Sequence, residues 1–412
     1  MRAAVVSVLT IGDELLSGEV ADANLPFIAG ELSPLGIRVA RHVTVRDDYD
    51  EIIPEIRALT ASSDLLFITG GLGPTSDDLT CEAVGRATGR ELVFHQHLAD
   101  NLEGFFSGLG RQMSPENLKQ AYLPRGSTEI PPTGTAPGFT LEEQGCLVVV
   151  LPGVPREVEH MMRSAVMPLL EERFSSGEVY LTRRLMTFGV GESDVAGLLS
   201  DCIGAGPVTY GFLVQMGAIV VKLNAAAGDR EAASRLLDEE EKEARARLGI
   251  LVFGADGESM EEVVGRMLRE RGLTVAFAES LTAGMAVARM ANVPGSSDYL
   301  KGGVVAYTAE AKRDLLDVPA GLLAGGAVST AVAEAMASGV RLRFHSDLGV
   351  STTGVAGPGP GDGDRQPGTV CLALADSEGL KSWEVRLPGD RVLVRHIATL
   401  AALNVIRLHL EA

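Results

Sequence analysis

Basic residues are scarce: 36 lysines and arginines face 55 aspartates and glutamates across 412 residues, a formal net charge of −19. No cationic excess is left to neutralise phosphodiesters or anionic lipid, so composition argues against nucleic acid and membrane surfaces as partners. Cysteines are few as well. Cys81, Cys146, Cys202 and Cys371 lie far apart, without a CxxC pair or a neighbouring histidine at metal-ligand spacing, and read as reduced, buried residues. Long apolar runs are missing too. The longest uncharged stretch, 202–221, is broken by four glycines and a proline and reads as strand-turn-strand, not a membrane span. The opening MRAAVVSVLTIGDELL has one basic residue and no small-residue cleavage site, so a signal peptide is not expected and the cytoplasm is. Internal repeats and low-complexity tracts are also absent. With 46% hydrophobic and 22% charged residues, the chain reads as folded, with two or three domains.

What is present is an alternation of strands and helices. VVSVLTIG and IRVARHVTV are β-branched runs, and DLLFITGG is a buried strand running into a glycine turn. Between them, a helical segment opens at Asn24 and closes at Gly36, and Asp50 is a candidate cap for a second helix containing Pro54. This rhythm predicts a parallel sheet covered by helices on both faces. Over about 177–249 it weakens to two apolar strands, around Tyr210 and Val220, and one charged helix, a small α+β unit. The capping box Ser259-x-x-Glu262 then opens a third region, in which LTVAFAES, GGVVAYT, GVSTTGVAG and TVCLALA resume the alternation. The expected fold is α/β, with domains at 1–170, 177–250 and 256–412: two three-layer α/β/α units joined by a small α+β connector.

Two segments carry chemistry. Residues 70–80, GGLGPTSDDLT, follow a buried strand and precede a helix, where ligands sit in open α/β sheets. Gly70, Gly71, Gly73 and Thr75 offer backbone amides to a phosphate. The segment is neither a Walker loop nor a GxGxxG fingerprint. Asp77 and Asp78 serve equally well as helix-dipole partners or as metal ligands. Further acidic pairs, Asp13-Glu14 and Asp47-Asp48, follow the first two strands, and their convergence on one sheet edge favours a divalent metal (Mg, Mn or Co) bridging carboxylates and phosphate.

In the second segment, Ser280 ends the strand LTVAFAE and is a candidate N-cap for the following helix. It is not a GxSxG elbow. The same serine is also a candidate nucleophile beside oxyanion-holding amides if a base reaches it. No histidine of this region follows a strand end, whereas Lys312, five residues after Tyr307, does. A buried lysine deprotonates serine, with tyrosine relaying a proton. The glycine-rich run 353–361, with Arg365 and Gly368 beyond, is a candidate closing loop.

These motifs resemble a known family. GDELLSGEV, TGGLGPTSDDLTCEAVG, KQAYLPRGS, GTAPGF and LPGVPREVEHM are similar to the molybdopterin-binding-type domain that opens CinA (competence/damage-inducible protein A) proteins. AESLTAG, VPGSSDYLKGGVVAYTAEAK, GAVS and TGVAGPGPG resemble the CinA C-terminal domain, and the middle segment the KH-like connector. The resemblance implies a C-terminal deamidase that converts nicotinamide mononucleotide to nicotinic acid mononucleotide and ammonia without a cofactor. It also implies an N-terminal, divalent-metal-dependent ADP-ribose pyrophosphatase, or in its place a non-catalytic molybdopterin- or nucleotide-binding module, and a homodimer. Carried over, Ser280 is the nucleophile, Lys312 the general base and Tyr307 the third member. Glu279, Thr282, Gly284, Thr353, Gly354, Gly357 and Gly359 contact substrate. In the first domain Glu14, Asn24, Gly70, Gly71, Gly73 and Thr75 hold nucleotide, and Asp47, Asp77 and Asp78 hold metal. Departures from the family pattern are Leu281 and Ala283 in the usual ESCTGG, Pro131 for an asparagine before GTAPG, and a loop over 360–366 richer in Gly and Asp. No GxxG flanked by basic residues marks the connector, so the KH likeness does not bring nucleic acid back.

Overall fold

The computed structural model describes residues 4–174, 178–361 and 364–412. The expected boundary at 177 and part of the 360–366 loop lie outside the described residues. Contacts divide the chain into two units, Met1–Leu181 with Ala226–Ser234, and Thr182–Ala225 with Arg235–Ala412.

In the first unit, β1 (Val6–Ile11), β2 (Val39–Val45) and β3 (Leu65–Thr69) are the three expected strands. A short antiparallel pair, β4 (Leu92–Phe94) and β5 (Tyr122–Pro124), stands apart from the main sheet. The strands β6 (Thr128–Ile130), β7 (Gly138–Glu143) and β8 (Cys146–Leu151) complete a six-stranded sheet of order β2-β1-β3-β8-β7-β6. Its first four strands are parallel and the last two antiparallel. Alternating residues of β1 feed two cores, Leu9 and Ile11 on one face, Val6 and Val8 on the other, which makes the unit three-layered. The helix Asn24–Leu32 passes into a 3-10 turn that ends at Gly36 in the left-handed region (φ 71°). The next helix runs Tyr49–Ser62, and its cap is Asp48, whose side chain accepts from the Asp50 amide, so Asp50 is inside the helix.

In the second unit, β9 (Val179–Phe188), which starts in the last residues of the first unit, β10 (Thr209–Gln215), β11 (Ala218–Ala227) and β12 (Val252–Ala255) form a sheet of order β10-β11-β9-β12. The uncharged 202–221 stretch is thus a turn and an antiparallel hairpin, as its glycines imply. Strands β13 (Val275–Glu279), β14 (Leu300–Val305), β15 (Leu348–Gly354), β16 (Thr369–Ala375) and β17 (Leu380–Arg386) make a second sheet, β14-β13-β15-β16-β17. The first three are parallel.

The connector shares its core with the C-terminal sheet: Phe188, Ala218 and Phe253 pack in one cluster with Met260, Val264 and Ile397. Buried Arg407, on the final helix Arg391–Glu411, locks this junction by donating to the carbonyls of Ile250 (2.6 Å) and Val252. That helix is long and apolar enough to cross a membrane, and about half of its apolar window is buried within the protein. Three cysteines are buried and unpaired. Cys81 is half-buried instead, its thiol at the Tyr122 carbonyl.

The helix Thr330–Phe344 lies so close on β15 that a Cβ on Gly349 would strike the Ala337 carbonyl and the Arg341 side chain. Gly349→Ala is therefore expected to cost about 1–3 kcal/mol in urea unfolding, and Gly379→Ala, on an open turn, less than about 0.5 kcal/mol.

Candidate active sites

The carboxyl ends of β1, β2 and β3 meet the turn after β8 around a cavity of about 620 Å³. The N-terminal residues expected to hold nucleotide or metal line it: Glu14, Asn24, Asp47, the glycine segment from Gly70 to Thr75, Asp77 and Asp78. Gly70 and Gly71 adopt positive φ (101° and 63°). A Cβ on Gly70 would collide with the Ile11 carbonyl, and one on Gly71 with the Thr80 hydroxyl, so these positions need glycine for internal packing first. The Thr80 hydroxyl closes the loop onto the Gly70 carbonyl (2.6 Å). With Gly70 N–H spent on Leu151 O, the amides of Gly71, Leu72 and Gly73 are the loop donors without an acceptor among the described residues. They are the candidates to hold an anion.

The acidic pairs divide by role. Asp48 caps its helix, and exposed Asp13 pairs with Arg46 (3.2 Å), so neither lines the cavity. Asp47 accepts the Asp13 amide (2.9 Å) while facing the cavity. The helix after the glycine loop begins at Thr80, which places Asp77 and Asp78 ahead of its first turn, where they are not helix-dipole partners. Asp78 instead braces the loop, accepting from the amide (2.8 Å) and hydroxyl (2.6 Å) of Thr75.

Sequence reading missed four further residues here: Asp22, Gln120, Gly153 and Glu157. Gln120 donates to the Leu72 carbonyl (3.1 Å) and the Thr135 hydroxyl (3.2 Å), bracing the glycine loop from behind. Its only signal was its place in KQAYLPRGS. Pro131 is exposed and does not line the cavity.

Among the described residues, six carboxylates and no lysine, arginine or histidine line this cavity. Burial raises the Asp47 pKa above its ordinary value; the Asp13 amide opposes this, and the charges of Glu14, Asp13 and Asp78 add to it. Like charges concentrated in this way call for a cation. Among the described residues no three His, Cys, Asp or Glu side chains are assembled as a preformed metal cage. The donor set fits a hard divalent ion that keeps several waters and takes one or two carboxylates plus substrate phosphates.

The second site lies where β13 ends. Glu279, 1% exposed, accepts from the amides of Gly284 (2.9 Å), Ala286 (3.2 Å) and Val287 (3.0 Å), so the glutamate and not Ser280 caps the helix Met285–Ala291. Glu279 and Gly284 are therefore scaffold. Thr282 is buried and hydrogen-bonded to the Thr352 hydroxyl (2.7 Å). Arg395 holds the carbonyls of Leu281 (2.9 Å) and Thr282 (3.2 Å). Ala283 occupies the left-handed region (φ 52°), which explains why glycine suits this position in the family pattern and costs a Cβ about 1–2 kcal/mol. The turn's amides at Ser280, Ala283 and Met285 are also engaged, leaving those of Leu281 and Thr282 as candidate oxyanion donors.

Ser280 is 7% exposed and Lys312, from the helix Ala309–Leu316, only 1%. The lysine Nζ lies 2.9 Å from Ser280 Oγ and 3.2 Å from the Ala306 carbonyl. Tyr307 is 55% exposed, and its hydroxyl accepts from Arg391 (2.8 Å), which also holds the Gly357 carbonyl (2.8 Å). The tyrosine is thus tied to the glycine-rich loop and not to the Ser280–Lys312 pair. Arg391 was not anticipated. Thr353 is buried with its hydroxyl on Ala327 O (2.8 Å), Gly354 leaves no room for a Cβ against Thr369 O, and Gly359 is exposed.

The raised Asp47 pKa fixes a sign. The folded chain holds that proton to higher pH than the unfolded chain, so ionised Asp47 costs stability above its folded pKa and nothing below its unfolded one. In metal-free buffer Asp47→Asn is expected to raise the unfolding temperature at neutral pH. The gain should fade as the pH is lowered through the carboxylate range, which calorimetry at several pH values checks.

Three family descriptions match in succession: a probable molybdopterin binding domain over residues 7–172, the damage-inducible protein CinA KH domain over 182–254, and the CinA C-terminal domain over 257–410. A CinA-like protein of Geobacter metallireducens is 43% identical over 404 residues, covering 97% of this chain and 98% of its own. One from Citrifermentans bemidjiense is 44% identical over 408 residues, covering 98% and 97%. Matched along nearly its whole length by relatives of nearly the same length, the chain belongs to the CinA family.

Proposed function

We propose that the chain is a two-site hydrolase of pyridine nucleotides, acting as a cytoplasmic homodimer. Its C-terminal site releases ammonia from nicotinamide mononucleotide, and its N-terminal site splits ADP-ribose. The observation that carries the first assignment is the 2.9 Å contact between Ser280 Oγ and the buried Lys312 Nζ. Burial works against an ammonium, and as a neutral amine Lys312 can accept the serine proton while donating to the Ala306 carbonyl. Ser280 Oγ then attacks the carboxamide carbon, and the oxygen that becomes negative lies within the field of the Leu281 and Thr282 amides. The proton on Lys312 passes to the leaving nitrogen, so the C–N bond breaks as ammonia departs and an ester remains on Ser280. Water cleaves that ester, giving the nicotinate nucleotide and the free serine. Tyr307, held by Arg391 beside the closing loop, borders the entrance. No metal is required in this sequence.

Ser280→Ala and Lys312→Ala are each expected to lower ammonia release from nicotinamide mononucleotide at least about a hundredfold with unchanged circular dichroism. Near wild-type turnover in either variant removes the assignment.

In the first unit the free amides of Gly71, Leu72 and Gly73 would hold a phosphate of ADP-ribose. Asp47, Asp77 and Asp78 would supply the one or two carboxylates that hold a divalent ion, whose charge offsets that of the phosphates. Water addition at the pyrophosphate gives AMP and ribose 5-phosphate. With no basic side chain lining the cavity, binding of the dinucleotide should depend on the ion. The absence of a preformed three-carboxylate cage favours a second reading, a module that binds a nucleotide or molybdopterin without turnover. AMP release from ADP-ribose with Mg²⁺, Mn²⁺ or Co²⁺, abolished by EDTA, is the expected result; metal-dependent binding without AMP would establish the second reading.

A further inference from the structure

Three acceptors in the N-terminal cavity receive no hydrogen bond among the described residues. Asn24, 7% exposed, donates its side-chain amide to the Gly153 carbonyl (2.9 Å), which leaves its own Oδ1 buried and unpartnered. Asp22 spends Oδ1 on the amides of Asn24 (2.8 Å) and Leu25 (3.1 Å), and its Oδ2 is likewise buried without a hydrogen bond, 3.6 Å from His42. Glu157 is half-buried in the first turn of the helix Pro155–Met161. It has no ion-pair partner among the described residues, and burial raises its pKa. Its carboxylate lies against Gly134, where a Cβ would collide with it, so the GTAPG turn leaves room for this side chain. The Asn24–Gly153 bond ties the segment bearing Asp22 and Asn24 to the turn that leads into Glu157, and all three residues line the same cavity.

Buried acceptors left unpartnered by the chain cost free energy unless a ligand supplies donors. Carboxylates without a cation nearby do not take phosphate. They take hydroxyls, as the acidic residue of dinucleotide folds takes a ribose diol. We propose that Glu157, with Asn24 beside it, reads the vicinal hydroxyls of a ribose, so that the N-terminal cavity selects ribonucleotides whose phosphate lies on the glycine loop.

The inference rests on the nucleotide reading of this cavity but not on turnover there. It is tested by titration calorimetry of the full-length chain with Mg²⁺ and either ADP or 2′,3′-dideoxy-ADP. Wild type is expected to bind ADP at least about tenfold more tightly than the dideoxy nucleotide, the scale of hydrogen bonds to a charged acceptor. In Glu157→Leu that preference should collapse to within about twofold through loss of ADP affinity, with dideoxy-ADP affinity kept. Glu157→Gln, which retains one acceptor, should fall between and covers the case in which the leucine variant does not fold. Equal affinities in wild type, an undiminished preference in both variants, or no binding of either nucleotide at millimolar concentration each overturn the inference. AMP release from ADP-ribose without any hydroxyl preference defeats this inference alone. A hydroxyl preference without AMP release defeats the pyrophosphatase alone.

Discussion

The constraint on which the C-terminal site depends is the burial of one carboxylate. Glu279 is 1% exposed and has three backbone amides as partners, all from the turn and first residues of the helix that follows. A buried carboxylate without such partners would cost several kcal/mol, so the chain between them is pinned wherever those amides can reach. That chain is 280–284. Its pinning sets Ser280 at the end of β13, forces Ala283 into the left-handed region and turns the carbonyls of Leu281 and Thr282 toward Arg395. Lys312 then meets the serine because β14 lies next to β13 and only three residues separate the end of β14 from the helix bearing the lysine.

The first unit uses acidic side chains in the same way. Asp48 serves the Asp50 amide, Asp78 the Thr75 amide, Asp47 the Asp13 amide, and Asp22 the amides of Asn24 and Leu25. Carboxylates at strand ends stabilise turns by accepting from backbone donors, with charge-assisted bonds stronger than neutral ones. Part of the −19 net charge is therefore structural. The consequence differs between the sites. In the C-terminal unit the acid is sealed beneath the turn, and the groups that meet beside it are a hydroxyl and an amine. In the N-terminal unit the acids line the cavity, and positive potential has to come from loop amides and from an ion brought with the ligand.

Much of this was legible in the residues. Strands β1, β2, β3, β13, β14, β15 and β16 were read correctly because each is a β-branched or alanine-rich run bounded by glycine or a charged turn. The convergence of Glu14, Asp47 and Asp77 on one edge followed from parallel order alone, since loops at the carboxyl ends of neighbouring parallel strands must meet. What stayed hidden depends on partners distant in sequence. The antiparallel strand β17 carries a mixed polar pattern because it is a largely exposed edge, and β7 ends in two glutamates where its burial gives out. The cap at Glu279 was missed because serine before a helix is the commoner cap, and nothing local shows that the preceding acid is buried. Arg391 lies more than 80 residues from Tyr307, and Arg395 more than 110 from Leu281 and Thr282, so no spacing rule could pair them.

The same distinction explains why the two sites differ in how completely their residues could be read. A nucleophile and its base must touch, and a single strand-to-helix step separates Ser280 and Lys312 from the sheet edge, so the two proposed for these roles could be paired from order and spacing. A binding wall needs no contact among its members. Asp22, Asn24 and Glu157 come from segments more than 130 residues apart and are joined only through the Asn24–Gly153 hydrogen bond. That Asp22 Oδ2 and Asn24 Oδ1 are buried without a donor belongs to the folded chain and not to any residue type, because it appears only after every local donor has been assigned. Unpartnered acceptors on a cavity wall are therefore what a sequence states least, because they exist only once the chain has folded and its donors are spent.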